Sequence, residues 1–160
     1  FTPWLSGLRS PVDDRRARGG WHHVSLATGR AELVRAVLEG VAFHTRWLHE
    51  QVERFVGRRL DPVRMLGGGA QSDLWCQLHA DIMDRRIERV SDPVTAQLRG
   101  AGLLAGIALG ALTEADAAAA VAVDRVFVPD PAAHAAYAPH YGQFRKQYAR
   151  QKGLAAALGG

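Results

Sequence analysis

Three consecutive glycines, Gly67-Gly68-Gly69, constrain this chain more than any other feature. They sit inside Arg64-Met65-Leu66-Gly67-Gly68-Gly69-Ala70-Gln71-Ser72-Asp73-Leu74-Trp75, where a short apolar lead-in gives way to a polar pair and then to a helical pattern. Adjacent glycines are costly to order, so they mark a place where the backbone needs positive φ or where something lies close against it. Ser72 and Asp73 are both good helix N-caps. A strand, a glycine turn and a helix N-terminus together suit a nucleotide or another anionic ligand. The same stretch also suits a tight strand-to-helix turn with no ligand, because it matches neither G-x-G-x-x-G nor G-x-x-x-x-G-K-[ST].

The rest of the chain supplies elements around that turn. Residues Phe1 to Gly20 are rich in Pro, Gly, Ser, Asp and Arg, show no period and read as loop. Gly29 to Phe55 is an amphipathic helix, with Val34, Val37, Leu38, Val41, Leu48, Val52 and Phe55 on one stripe. Thr28 is the expected N-cap, Arg35 and Glu39 stand one turn apart, and Gly40 marks close packing. Pro62 to Leu66 reads as a strand, Ser72 to Met83 as a helix and Arg86 to Val90 as a second strand. A helix from Val94 to Leu109 carries Gly102 and Gly106, with Gly110 just beyond, which predicts a bare face pressed on a sheet or another helix. Thr113 and Asp116 resemble a capping box ahead of an alanine-rich helix. Arg125 to Val128 is extended, and a last helix from Ala132 to Gln151 bears Tyr137, Tyr141, Phe144 and Tyr148 as a packing stripe. Residues 154–160 read as a frayed tail.

The chain of 160 residues is long enough for one domain with a real core, and no linker divides it. The net charge of +4 comes from scattered arginine pairs with no recognition motif, so no nucleic-acid partner is expected. A single cysteine, Cys76, makes an intrachain disulfide impossible and fits a reducing cytoplasm. The longest uncharged apolar run, Gly100 to Leu112, falls short of the roughly 20 residues a membrane span needs. His22 and His23 read as surface histidines, without a Cys or carboxylate at ligand spacing.

Several segments resemble the FGGY family of carbohydrate kinases. Leu5-Ser6-Gly7-Leu8-Arg9-Ser10-Pro11, then Asp14 and Ala17-Arg18-Gly19, are similar to that family's Leu-Ser-Gly-Glu-Arg-x-Pro…Asp-x-x-Ala-Arg-Gly segment. Arg35-Ala36-Val37-Leu38-Glu39-Gly40-Val41-Ala42-Phe43 resembles its helix, and Gly67 to Trp75 its adenosine-binding turn. Arg99 to Ala105 and Phe127-x-Pro-Asp-Pro resemble its closing elements, so the likeness runs in order over residues 3 to 150 and is nearest the xylulokinase-like branch. Leu8 stands where the family usually has Glu. The resemblance implies an α/β fold: part of an actin-like (ribonuclease H-like) ATPase domain, helix-rich with a short sheet.

The same resemblance implies transfer of the ATP γ-phosphate to a sugar or polyol hydroxyl, with magnesium, between two domains. Residues 1–160 correspond to the C-terminal portion of the second, nucleotide-side domain. Gly68, Gly69 and Ala70 would lie beside the adenine and ribose, and Ser72 or Asp73 would contact the base. A branched side chain at Gly69 is expected to occupy the space of the base. In the family the first domain supplies the sugar pocket and the general base, so this chain alone is expected to be inactive, with two strands of the sheet left and a tendency to self-associate. Family members often form dimers. The competing interpretation is a non-catalytic actin-like binding or partner module.

Overall fold

The computed structural model describes residues 1–157. The elements run α1 (Arg30–Val56), β1 (Val63–Met65), a 3-10 helix (Gly68–Gln71), α2 (Asp73–Met83), β2 (Ile87–Val90), α3 (Ala96–Ala108), α4 (Glu114–Ala119), β3 (Val123–Phe127) and α5 (Pro131–Ala157). The sheet order is β1-β2-β3, with β1 parallel to β2 and β3 antiparallel to it. The β1-turn-α2-β2 passage is therefore a parallel crossover, and the glycine turn lies at the carboxyl end of β1. The expected two strands are three, because the extended piece near Arg125 pairs with β2, Glu88 opposite Val126 and Arg89 opposite Arg125.

Helix α2 is the centre of the molecule. One side faces the sheet, where Ala70, Cys76, Ala80, Met83, Ile87 and Phe127 form a core. From its other side Ile82 enters a second core with Trp4, Leu8 and Ala17 of the N-terminal segment, Ala42, Phe43 and Trp47 of α1, and Tyr141 and Phe144 of α5. The segment read as loop is irregular, but Leu8 and Asp14 exchange backbone hydrogen bonds at 2.8 and 2.7 Å, which delivers Trp4 and Leu8 to that core.

The buried face of α1 differs from the expected stripe. Gly40, Ala42, Phe43 and Trp47 are buried, whereas Phe55 is 92% exposed and Val34 54%. Helical spacing placed two apolar faces on this helix, and the aromatic one won because α5 and the N-terminal segment cover it. Gly40 does permit close packing, since a Cβ there would stand 2.5 Å from the Phe1 carbonyl oxygen. The Arg35–Glu39 pair forms at 2.7 Å. Gly29, not Thr28, caps α1, with Glu32 Oε2 accepting from the Gly29 N–H at 3.0 Å; Thr28 Oγ1 accepts from Ser25 N instead.

Two other expectations change. No residue of α3 is buried, and a Cβ at Gly100 or Gly102 would meet nothing, so its small-residue face is open; Gly106 alone packs, under Leu112. Helix α5 continues through Ala157, past the point where a frayed tail was expected, and the remainder of that tail lies outside the described residues. The Thr113–Asp116 capping box is present. No helix of the described residues is long and apolar enough to cross a membrane.

Candidate nucleotide-side site

The glycine turn is built by backbone. Gly67 has φ 89°, a left-handed conformation that favours glycine, and its N–H donates to the Pro93 carbonyl at 2.7 Å. That bond fastens the end of β1 to the loop after β2. Ala70 N and Ser72 N then donate to the Gly67 and Gly69 carbonyls, closing the 3-10 helix. Ser72 caps α2, its Oγ accepting from Trp75 N at 3.3 Å.

The five expected site residues fall into different environments. Gly68 is exposed, and a Cβ there would meet no protein atom, as would one at Gly67. These two positions leave a bare strip of backbone against which a flat ligand can lie. Gly69 is different, because a Cβ would stand 2.4 Å from the Trp75 ring. Glycine there fits the packing of the turn under an indole, a structural demand that stands beside the expected place of Gly69 next to a base. Trp75 is in turn held by its Nε1–H donating to the Leu38 carbonyl at 3.1 Å. Ala70 is fully enclosed, its carbonyl accepting from the Cys76 thiol. Ser72 and Asp73 are exposed, on the rim of the turn.

Asp73 already has partners. Its Oδ1 accepts from Arg89 Nη1 at 2.7 Å and its Oδ2 from Arg125 Nη1. Sequence reasoning did not find these two arginines; their signal lies in the β2–β3 register, which sets Arg89 directly opposite Arg125. Cys76 is fully enclosed in the sheet-side core, and burial pushes its thiol up from its ordinary value. Among the described residues no group of three or more His, Cys, Asp or Glu side chains could hold a metal ion. The arrangement offers open backbone at Gly67 and Gly68 beside the exposed polar side chains of Ser72 and Asp73.

Residues 1–109 match the FGGY family of carbohydrate kinases, C-terminal domain. The chain belongs to that family, and its fold class is the actin-like ATPase fold. It is 33% identical to a xylulose kinase of Staphylococcus epidermidis over 99% of this chain and 32% of that protein. A glycerol kinase of Natranaerobius thermophilus is 34% identical over 80% of this chain and 26% of its own. Among solved structures, the xylulose kinase from Rhodospirillum rubrum superposes with a TM-score of 0.77 at 29% identity, covering 97% of this chain and 31% of that one. The chain spans about a third of the length of these relatives.

Proposed function

We propose that this chain is the nucleotide-side portion of an ATP-dependent carbohydrate kinase, xylulokinase-like, which transfers the γ-phosphate of ATP to a hydroxyl of a sugar or polyol. The observation that carries this is the bare backbone at Gly67 and Gly68, on the rim of a strand-turn-helix that belongs to a kinase family. The adenine and ribose lie along Gly68, while Gly69 and Ala70 shape the turn from beneath. Ser72 offers its hydroxyl to the base. Asp73 is the less available of the two, as both its oxygens already accept from arginines. ATP supplies the transferable phosphoryl group; this chain's part is to bind and orient the nucleoside end. Among the described residues no three His, Cys, Asp or Glu side chains gather to hold a metal, and the magnesium that accompanies ATP is assigned no ligand here. The sugar pocket and the general base belong to the domain that, in the family, faces this one, and no phosphate clamp is assigned within residues 1–157. The cytoplasm is the compartment that suits the free, buried Cys76, and a homodimer is open to light scattering.

Phosphoryl transfer depends on positioning and charge stabilisation, so the chain by itself binds without turning over. Titration calorimetry should give adenosine, ADP and ATP affinities within about tenfold of one another, which is about 1.4 kcal/mol. Gly68→Val should abolish all three, because its side chain fills space that no protein atom uses. Coupled ADP release with pentoses and polyols should stay at background. Unchanged binding in Gly68→Val would place the nucleoside elsewhere. Turnover that disappears on mutating a residue of this chain would overturn the division of labour.

A further inference from the structure

The charged groups beside the glycine turn form a closed set. Asp73 opens α2 directly after its cap, and its two oxygens are taken by arginines from two different strands, Arg89 of β2 and Arg125 of β3. Arg89 also donates from Nε to Asp124 Oδ1 at 2.8 Å. Both guanidinium groups stand near the Phe127 ring, at 5.8 and 5.0 Å from its centroid. Two carboxylates and two guanidiniums thus balance, and Asp73 is held in one orientation by strands that do not themselves reach the turn.

A helix N-terminus draws anions through its free first-turn N–H groups and dipole. Helix α2 uses that attraction internally, on the Ser72 hydroxyl and on the Asp73 charge in its first turn. A phosphate brought to this end would meet a carboxylate. The Asp73 side chain is half-exposed, and ion pairs of that exposure contribute little to folding. Their main consequence is therefore local charge.

We propose, resting on the nucleotide-binding function above, that Asp73, positioned by Arg89 and Arg125, is a specificity-determining residue. Its charge offsets the two guanidiniums and the N-terminus of α2, so that a phosphate gains no affinity at the glycine turn. Removing its charge creates a preference for phosphate-bearing ligands, because two guanidiniums and the helix N-terminus then face the ligand with only Asp124 to balance them.

The experiment compares adenosine and ADP by titration calorimetry in the wild type, Asp73→Asn and Arg125→Gln, with circular dichroism to verify folding. The wild-type ratio of ADP to adenosine affinity should lie near one. In Asp73→Asn the ratio should rise about fivefold at low ionic strength and shrink towards the wild-type value as salt screens the charges. In Arg125→Gln, which leaves Asp73 less compensated, the ratio should fall, so the proposal stays testable even where Asp73→Asn misfolds. A purely structural role for Asp73 would weaken both ligands alike and leave the ratio unchanged, which would overturn this proposal while leaving nucleoside binding intact. Absence of adenosine binding to the wild type would overturn both.

Discussion

The two ends of α2 are held by opposite means. At its carboxyl end Ile82 and Met83 are enclosed, the Ile82 carbonyl accepts from Arg46, and Arg85 just beyond makes a bidentate pair with Glu53 of α1, Nε to Oε1 at 3.1 Å and Nη2 to Oε2 at 2.8 Å. The Arg85 and Glu53 side chains are only 12% and 15% exposed. At its amino end Leu74 is 58% exposed and Asp73 lies in the open, tied by ion pairs to strand side chains. One end is thus anchored by burial and desolvated charge, the other by backbone geometry and solvated charge. The difference suits a helix whose free end receives a ligand while its far end fixes the position of that end.

The largest effect separating the two ends should come from Trp47→Ala. Trp47 closes the aromatic core against Tyr148 and shares that core with Ile82. Truncating a buried aromatic of this size costs about 3–5 kcal/mol, against a domain margin of about 5–15 kcal/mol. Leu74→Ala, at the open end, should cost under about 0.5 kcal/mol. Urea unfolding of both variants measures the contrast, and comparable losses would show that the amino end is as tightly built as the carboxyl end.

Glu53→Gln should come next. Burial works against ionisation of Glu53, but the Leu60 N–H and the Arg85 guanidinium outweigh it and hold its carboxyl below the ordinary 4.5. Leaving Arg85 with a neutral partner in a mostly buried place should cost about 2–4 kcal/mol. A pair equal in worth to the half-exposed Asp73–Arg125 pair would cost about 0–1 kcal/mol, and a loss that small would erase the distinction between the two ends.

The amino end was the more legible in the sequence. Its glycines, its Ser72 cap and the period of α2 are local signals, and the structure places the turn and helix where they indicate. What escaped was non-local. The roles of Gly69 and Asp73 depend on Trp75 and on two arginines brought in by the β2–β3 register, and β3 joins the sheet only by pairing with a strand more than thirty residues earlier. The buried face of α1 was ambiguous for the same reason: Val34 and Phe55 are as apolar as Phe43 and Trp47, and only the arrival of α5 and of residues near Trp4 decides between them. The spacing of Gly102 and Gly106 likewise carries no information about what, if anything, lies opposite.

The smallest expected effect is a pH dependence centred on the middle of α2. His79 is 5% exposed, with Nδ1 2.8 Å from the Trp75 carbonyl oxygen, to which the neutral ring can donate. Burial lowers its pKa below the ordinary 6.5, and the carbonyl bond, which raises it, does not compensate. The unfolded chain therefore binds this proton more readily than the folded one as pH falls below 6.5. The stability that the neutral ring contributes is complete above 6.5 and is lost as pH falls towards the folded value. Burial acts in the same direction on His22, His44 and His49, the last opposed by Glu53 and Glu50. Glu53 adds its own loss only below about 4.5, so the two windows are separable. Melting temperature should fall between pH 7.5 and 5.5, by less than it falls in Glu53→Gln at neutral pH. His79→Asn keeps a side-chain donor for the Trp75 carbonyl and removes the titration, so its melting curve should be flatter over that window. A variant whose slope matches the wild type would assign the dependence to the less buried histidines and leave α2 without a titrating group at its centre.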